Sequence, residues 1–82
     1  MSSQRSKVAI LRTSPATVLS DVHEVMNLAG YQDVLANDAD TALKVNISGH
    51  FFYPAASTNP WQLDGVIRAL KADGFSADKV HA

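Results

Sequence analysis

Apolar residues along the chain recur with two different periods, and the alternation between them outlines the fold. Lys7-Val8-Ala9-Ile10-Leu11-Arg12 is a short continuous apolar run of the kind shown by a strand buried on both faces. It stops at Thr13-Ser14-Pro15, where Ser14 suits a helix cap and Pro15 the first helical position. Val18, Leu19, Val22, Val25, Met26 and Ala29 then form one stripe at helical spacing, with Asp21, Glu24 and Asn27 off it. Gly30 offers the left-handed residue that ends many helices. A polar connection, Tyr31 to Asp40, leads to strict alternation over Thr41–Ser48. There Leu43, Val45 and Ile47 point one way and Lys44, Asn46 and Ser48 the other, which predicts a second strand. Gly49–Asn59 is irregular and holds His50, Phe51, Phe52 and Tyr53. Asn59-Pro60 again pairs a cap with a first-position proline, and Leu63, Val66, Ile67 and Leu70 supply a second helical stripe closed by Gly74. Lys79-Val80-His81 reads as the start of a strand.

Strand, helix, strand, helix and a nascent strand are the grammar of βαβ units on a parallel sheet. The expected fold class is therefore α/β, a short parallel sheet of two to three strands in βαβα(β) order with helices packed on it. Both helices on one face would leave the other face and two edges open, whereas parallel sheets are covered on both faces. The pattern thus predicts that residues 1–82 form one α/β unit, with 1–6 a flexible lead, and that this unit is a segment of a larger α/β domain.

Composition narrows the function classes. Seven basic and eight acidic residues give a net charge of −1, so no electrostatic footprint for nucleic acid or anionic lipid is present. The chain has no cysteine, which excludes disulfides, thiolate zinc sites, thiol nucleophiles and cluster ligation within these residues. The polar start leads into only Val8–Leu11, too short for a secretory or membrane-spanning segment, and a cytoplasmic location is expected. The glycosylation sequon Asn46-Ile47-Ser48 carries no weight without a secretory signal. Dinucleotide, P-loop, nucleophile-elbow and zinc-protease motifs are all absent.

Candidate chemistry gathers after the second strand, because ligands of open α/β sheets bind beyond the carboxyl ends of the strands. Lys44 and Asn46 project toward that end, His50 follows in the loop, and Thr58 and Asn59 precede the second helix. Pro60 removes one donor from that helix N-terminus and leaves Trp61 and Gln62 as its first N–H groups, a setting for a small anion. Plainer roles fit the same residues. Lys44 suits a solvated edge, Asn46 a structural hydrogen bond to a neighbouring loop, and Thr58 and Asn59 a turn and cap. His50 has no second ligand at metal spacing and no nucleophile partner, so no metal site is predicted. His23 and His81 carry no functional signal of their own. Trp61 lies off the second apolar stripe and is expected to pack on Phe51–Tyr53, which read as a satellite hydrophobic cluster.

The strand Lys7-Val8-Ala9-Ile10-Leu11, the strand Leu43-Lys44-Val45-Asn46-Ile47 and the segment Ser57-Thr58-Asn59-Pro60-Trp61-Gln62-Leu63-Asp64-Gly65-Val66-Ile67 together resemble the N-terminal part of domain-of-unknown-function family 362. The family's lysine–x–asparagine strand matches Lys44 and Asn46. Its threonine near a helix-opening proline matches Thr58 and Pro60, and its helix ending in glycine matches Ile67, Leu70, Lys71 and Gly74. The resemblance spans roughly residues 6–82. It implies a longer α/β parent and candidate site roles for the lysine, asparagine and threonine. It also implies an iron–sulfur cluster only in such a parent, since no cluster cysteine stands here. Two functions follow as expectations: a segment that binds a small anionic or polar ligand, or a small non-catalytic domain acting through homo-oligomerisation or partner binding. Whether the chain takes part in an enzyme is left open by the sequence.

Overall fold

A computed structural model describes residues 6–47 and 56–82 of the chain. They form a small mixed α/β fold of two helices and one two-stranded parallel sheet: α1 (Val18–Leu28), β1 (Thr41–Ala42), α2 (Pro60–Ala72) and β2 (Val80–His81). Thr41 pairs with Val80 and Ala42 with His81. The Leu43 amide continues the ladder by donating to the His81 carbonyl at 2.6 Å.

Both helices are stopped as their sequences direct. After α2, Gly74 takes φ +96°, and the amides of Gly74 and Phe75 turn back to the carbonyls of Lys71 and Leu70. That Schellman arrangement brings Phe75 against the helix it terminates. Phe75 and Leu70 are accordingly 4% and 1% exposed and, with Ala69, are the buried hydrophobic residues among those described. Gly30 ends α1 in the same left-handed region. The start of α1 differs from expectation: residues 15–17 form a turn, and the helix begins at Val18 with Thr17 at its cap. The cause is local. Asp21 accepts hydrogen bonds from the hydroxyls of both Thr13 and Thr17, at 2.7 and 2.6 Å, so the threonine rather than Ser14 serves the first turn. Those two bonds hold the exposed Asp21 carboxyl below its ordinary pKa, Thr17 contributing most.

The helices pack on each other at Gly65, where an added Cβ would stand 2.9 Å from Val22 Cβ. Trp61 shares a hollow with Pro15 and Val18 at one end, and Asn27 reaches Asp73 at the other, so α1 and α2 run side by side in the same direction. Leu11 lies against Val18, Val22 and Val25 of α1, while Leu43 and Val45 face Leu63 and Val66 of α2.

The expected first strand is a correction. Residues 6–12 form no strand, and among the described residues no backbone hydrogen bond joins them to a neighbour. Yet their burial alternates: Ala9 and Leu11 are half-buried, whereas Val8 and Ile10 are 80% and 86% exposed. The run is apolar on both sides but covered on one, so half of its apolar surface gains nothing from the fold. The second strand is also shorter than the alternation predicts, because ladder pairing is limited to the few residues opposite β2. Leu43 and Val45 keep the expected inward face, but Ile47, beyond the cover of α2, is 76% exposed.

Candidate functional site

Beyond β1 the chain carries Lys44 and Asn46 on its exposed side and meets the segment that leads into α2. Asn46 is the joint. Its amide donates to Thr58 Oγ1 at 2.9 Å, its carbonyl accepts from the Thr58 amide at 2.9 Å, and its Nδ2 donates to the Ala56 carbonyl. An asparagine is disfavoured within a strand because its side chain competes for backbone groups. Here that competition is used, and three hydrogen bonds clamp the end of the extended segment to the entrance of α2.

Asn59 occupies the N-cap position with φ −70° and ψ 137°, and Pro60 is the first helical residue. The Asn59 side chain makes no capping bond. The Asn59 backbone carbonyl accepts from the amides of Gln62 and Leu63 at 3.0 and 3.3 Å. Lys44 Nζ donates to the Val45 carbonyl at 3.0 Å. Lys44, Thr58 and Gln62 share an open cleft of about 230 Å³ with Leu43, Val45, Leu63 and Val66. This is smaller than the ~300 Å³ at which pockets for drug-sized ligands begin, so it suits a group of phosphate or carboxylate size. The rim supplies one ammonium, one hydroxyl and the first turn of a helix, whose dipole favours an anion.

Of the five residues singled out from the sequence, Lys44 and Thr58 thus line one cleft, Asn46 clamps its wall, and Asn59 occupies the N-cap position of α2 without a side-chain bond. His50 lies outside the described residues, as do Phe51–Tyr53 and with them the expected packing of Trp61. Trp61 itself is 51% exposed and lines a hollow with Thr13, Ser14, Pro15 and Val18. Among the described residues no group of three or more His, Cys, Asp or Glu side chains gathers to hold a metal, and no helix is long and apolar enough to cross a membrane.

A second polar cluster escaped the sequence reading. Asp73 Oδ2, just past α2, accepts from Tyr31 Oη at 2.5 Å, His23 Nε2 at 2.8 Å and Asn27 Nδ2 at 3.2 Å. The Asp73 side chain is only 15% exposed, and the donors that converge on Oδ2 favour its ionised form, to which His23 turns a protonated Nε2. The Tyr31 hydrogen bond, aided by His23 and Asn27, outweighs desolvation and holds the Asp73 carboxyl below the usual range. Burial first, and then the adjacent carboxylate, push the Tyr31 hydroxyl far above a free phenol. Tyr31 also stacks on Phe75 with ring centroids 6.2 Å apart. The signal for this cluster was positional. Tyr31 follows the stop glycine of α1, Asp73 precedes that of α2, and parallel helices bring those ends together. Its three donors and one acceptor are mutually satisfied, which makes it a clasp between helix ends.

No protein-family model, curated protein or solved structure matches the chain.

Proposed function

We propose that the chain is an α/β segment of the kind found in family 362, whose cleft beside Lys44, Thr58 and the start of α2 takes a small anionic or polar ligand. The observation that supports this is the Asn46–Thr58 clamp. It holds the end of an extended segment against a helix N-terminus in advance of any ligand, so binding there costs little further ordering. Lys44 supplies the charge, Thr58 a hydroxyl that already accepts from Asn46 and has its own proton left to donate, and α2 its N-terminal field. Titrating the chain with inorganic phosphate while following backbone amide shifts tests the reading. Shifts centred on Lys44, Thr58 and Trp61, lost in Lys44→Ala at unchanged melting temperature, support it. A large fall in melting temperature with unchanged phosphate shifts assigns Lys44 a structural role instead.

A second reading is favoured by a separate observation. Val8 and Ile10 are 80% and 86% exposed, while Ala9 and Leu11, which alternate with them, are half-buried. In this reading the chain works as a docking unit, its open face covered by further polypeptide. The segment expected from the sequence and the domain that associates through its surface are two forms of the same arrangement.

A further inference from the structure

The clasp at Asp73 occupies one nitrogen of the His23 ring and leaves the other over. Nε2 stands 2.8 Å from Asp73 Oδ2, while Nδ1 has no hydrogen-bond partner among the described residues. With the proton on Nε2, Nδ1 carries a lone pair and acts as an acceptor or a base. A carboxylate that holds an imidazole in this way fixes both its tautomer and its orientation. The same ring lines an open cleft of about 310 Å³ between the helices, with Leu19 and Ser20 of α1 and Arg68, Ala69 and Ala72 of α2. That volume lies at the lower end of the ~300–1,000 Å³ of small-molecule sites.

The charges around the cleft are answered. Arg68 Nε donates to Asp64 Oδ1 at 3.0 Å, and its two terminal nitrogens have no partner among the described residues. Asp73 is engaged by Tyr31, His23 and Asn27. Glu24 and Lys71, charged neighbours on the two helices, do not line the cleft. An uncharged ligand therefore suits it, with Leu19, Ala69 and Ala72 as an apolar floor. We propose that the cleft is a hydrolytic site for small uncharged esters, with His23 as general base and Asp73 as the residue that positions it. Arg68 meets the charge that develops on the acyl oxygen. This site is separate from the cleft beside Lys44 and does not rest on it.

Water is the nucleophile. The Ser20 hydroxyl donates to the Thr17 carbonyl at 3.0 Å, so its proton is already committed within α1. Nδ1 lies beside Cβ in the ring, where attack on carbon is crowded and proton transfer is not. A water proton passes to Nδ1 as the water oxygen bonds to the acyl carbon, and the carbonyl oxygen becomes an oxyanion facing the guanidinium. Collapse re-forms the carbonyl and breaks the bond to the alcohol oxygen, which takes the proton back from the imidazolium. Ester and water thus give acid and alcohol, with no change of oxidation state.

The test is release of p-nitrophenol from p-nitrophenyl acetate by the full chain, in water and in D2O. His23→Gln keeps an N–H for Asp73 and removes the base, so it should lose about 100-fold in rate, the low end for general-base catalysis, at a similar melting temperature. His81 is the internal control: it also neighbours a carboxylate, Asp40 at 3.4 Å, but is 59% exposed and lines none of this cleft, so His81→Gln should keep the rate. Asp73→Asn should lower kcat with little change in KM, measured well below its melting temperature. Tyr31→Phe, which loosens the clasp but keeps the Asp73–His23 pair, should lose stability with a much smaller loss of rate. A slower reaction in D2O supports proton transfer to His23, and a burst of p-nitrophenol without that slowing overturns water as the nucleophile. An equal fall in His81→Gln, a His23→Gln chain with the parent rate, or no rate above buffer overturns the site.

Discussion

Gly65 of α2 lies against Val22 of α1, and replacing it with alanine sets two effects of known size against each other. In a helix interior, Gly→Ala alone stabilises by about 1 kcal/mol, through the entropy of the unfolded chain and the exposed helix backbone. Here the added methyl would sit 2.9, 3.0 and 3.2 Å from Val22 Cβ, Cγ2 and Cγ1. Ordinary carbon contacts lie at about 3.5–4.0 Å, so the helices must separate by half an ångström or more. Neither helix can yield alone, because α2 is held by Leu70 and Phe75 and both helix ends are clasped at Asp73. Overpacking of this sort costs about 1–3 kcal/mol, which matches or exceeds the propensity gain and leaves Gly65→Ala destabilising by up to about 2 kcal/mol. Urea denaturation followed by circular dichroism measures it. Adding Val22→Ala removes two of the three crowding atoms, so the double variant should lose less than the two single losses summed, by about 0.5–1 kcal/mol. A Gly65→Ala chain more stable than the parent by about 1 kcal/mol, with no coupling to Val22, would refute close helix packing at this point.

Three further outcomes follow from the same structure. Leu70→Ala should cost about 2–4 kcal/mol, seen as a lowered urea midpoint, since Leu70 is 1% exposed at the centre of a small core. Asp73 has a lowered folded pKa, so its contribution is present above the unfolded value of about 3.9 and is lost as pH falls through the folded value. Asp73→Asn should therefore melt below the parent at neutral pH, and the gap should close as acid protonates the parent's carboxylate; a gap independent of pH speaks against the clasp. Tyr31 is shifted the other way. Its contribution is present below the free phenol value of about 10 and lost as pH rises, so absorbance titration should show a late phenol transition that Tyr31→Phe abolishes.

The elements written in local code were legible in the sequence, and those that need a distant partner were not. Pro60 after Asn59, and Gly30 and Gly74 at positive φ, mark α1 and α2 through the backbone conformation of one or two residues. Each can be read without knowing what the helix packs against. The parallel pairing of the 41–47 and 79–81 segments followed from the alternation of element types. The strand expected at 7–12 was misread because a continuous apolar run states what a segment can bury and says nothing of who buries it. Asn46 was legible as an anomaly, an amide in a strand, and its bonds to Ala56 and Thr58 supply the reason. The Asp73 clasp was invisible for the opposite reason. His23, Asn27, Tyr31 and Asp73 are ordinary residues of helix ends, and only the parallel packing of α1 on α2 makes them neighbours.

The open face and the short ladder have one physical origin. A parallel pairing is slightly less stable per residue than an antiparallel one and gains its strength from burial on both faces. Here β1 and β2 contribute two residues each, and residues 8–11 alternate in burial but form no ladder. Cover on the far side would withdraw Val8 and Ile10 from water and lower the local dielectric around the backbone of that layer. Unpaired amides and carbonyls in residues 6–12 would then cost more, and inter-strand bonds would be worth more. Docking and strand formation are thus coupled: whatever covers this face should also complete the sheet. Amide exchange in residues 7–12 ought to slow when further polypeptide covers this face, and Ile10→Asp should abolish that slowing while protection at Leu70 and Phe75 is kept. Slowing spread evenly over the whole chain would instead mark general stabilisation, with no strand gained at the face.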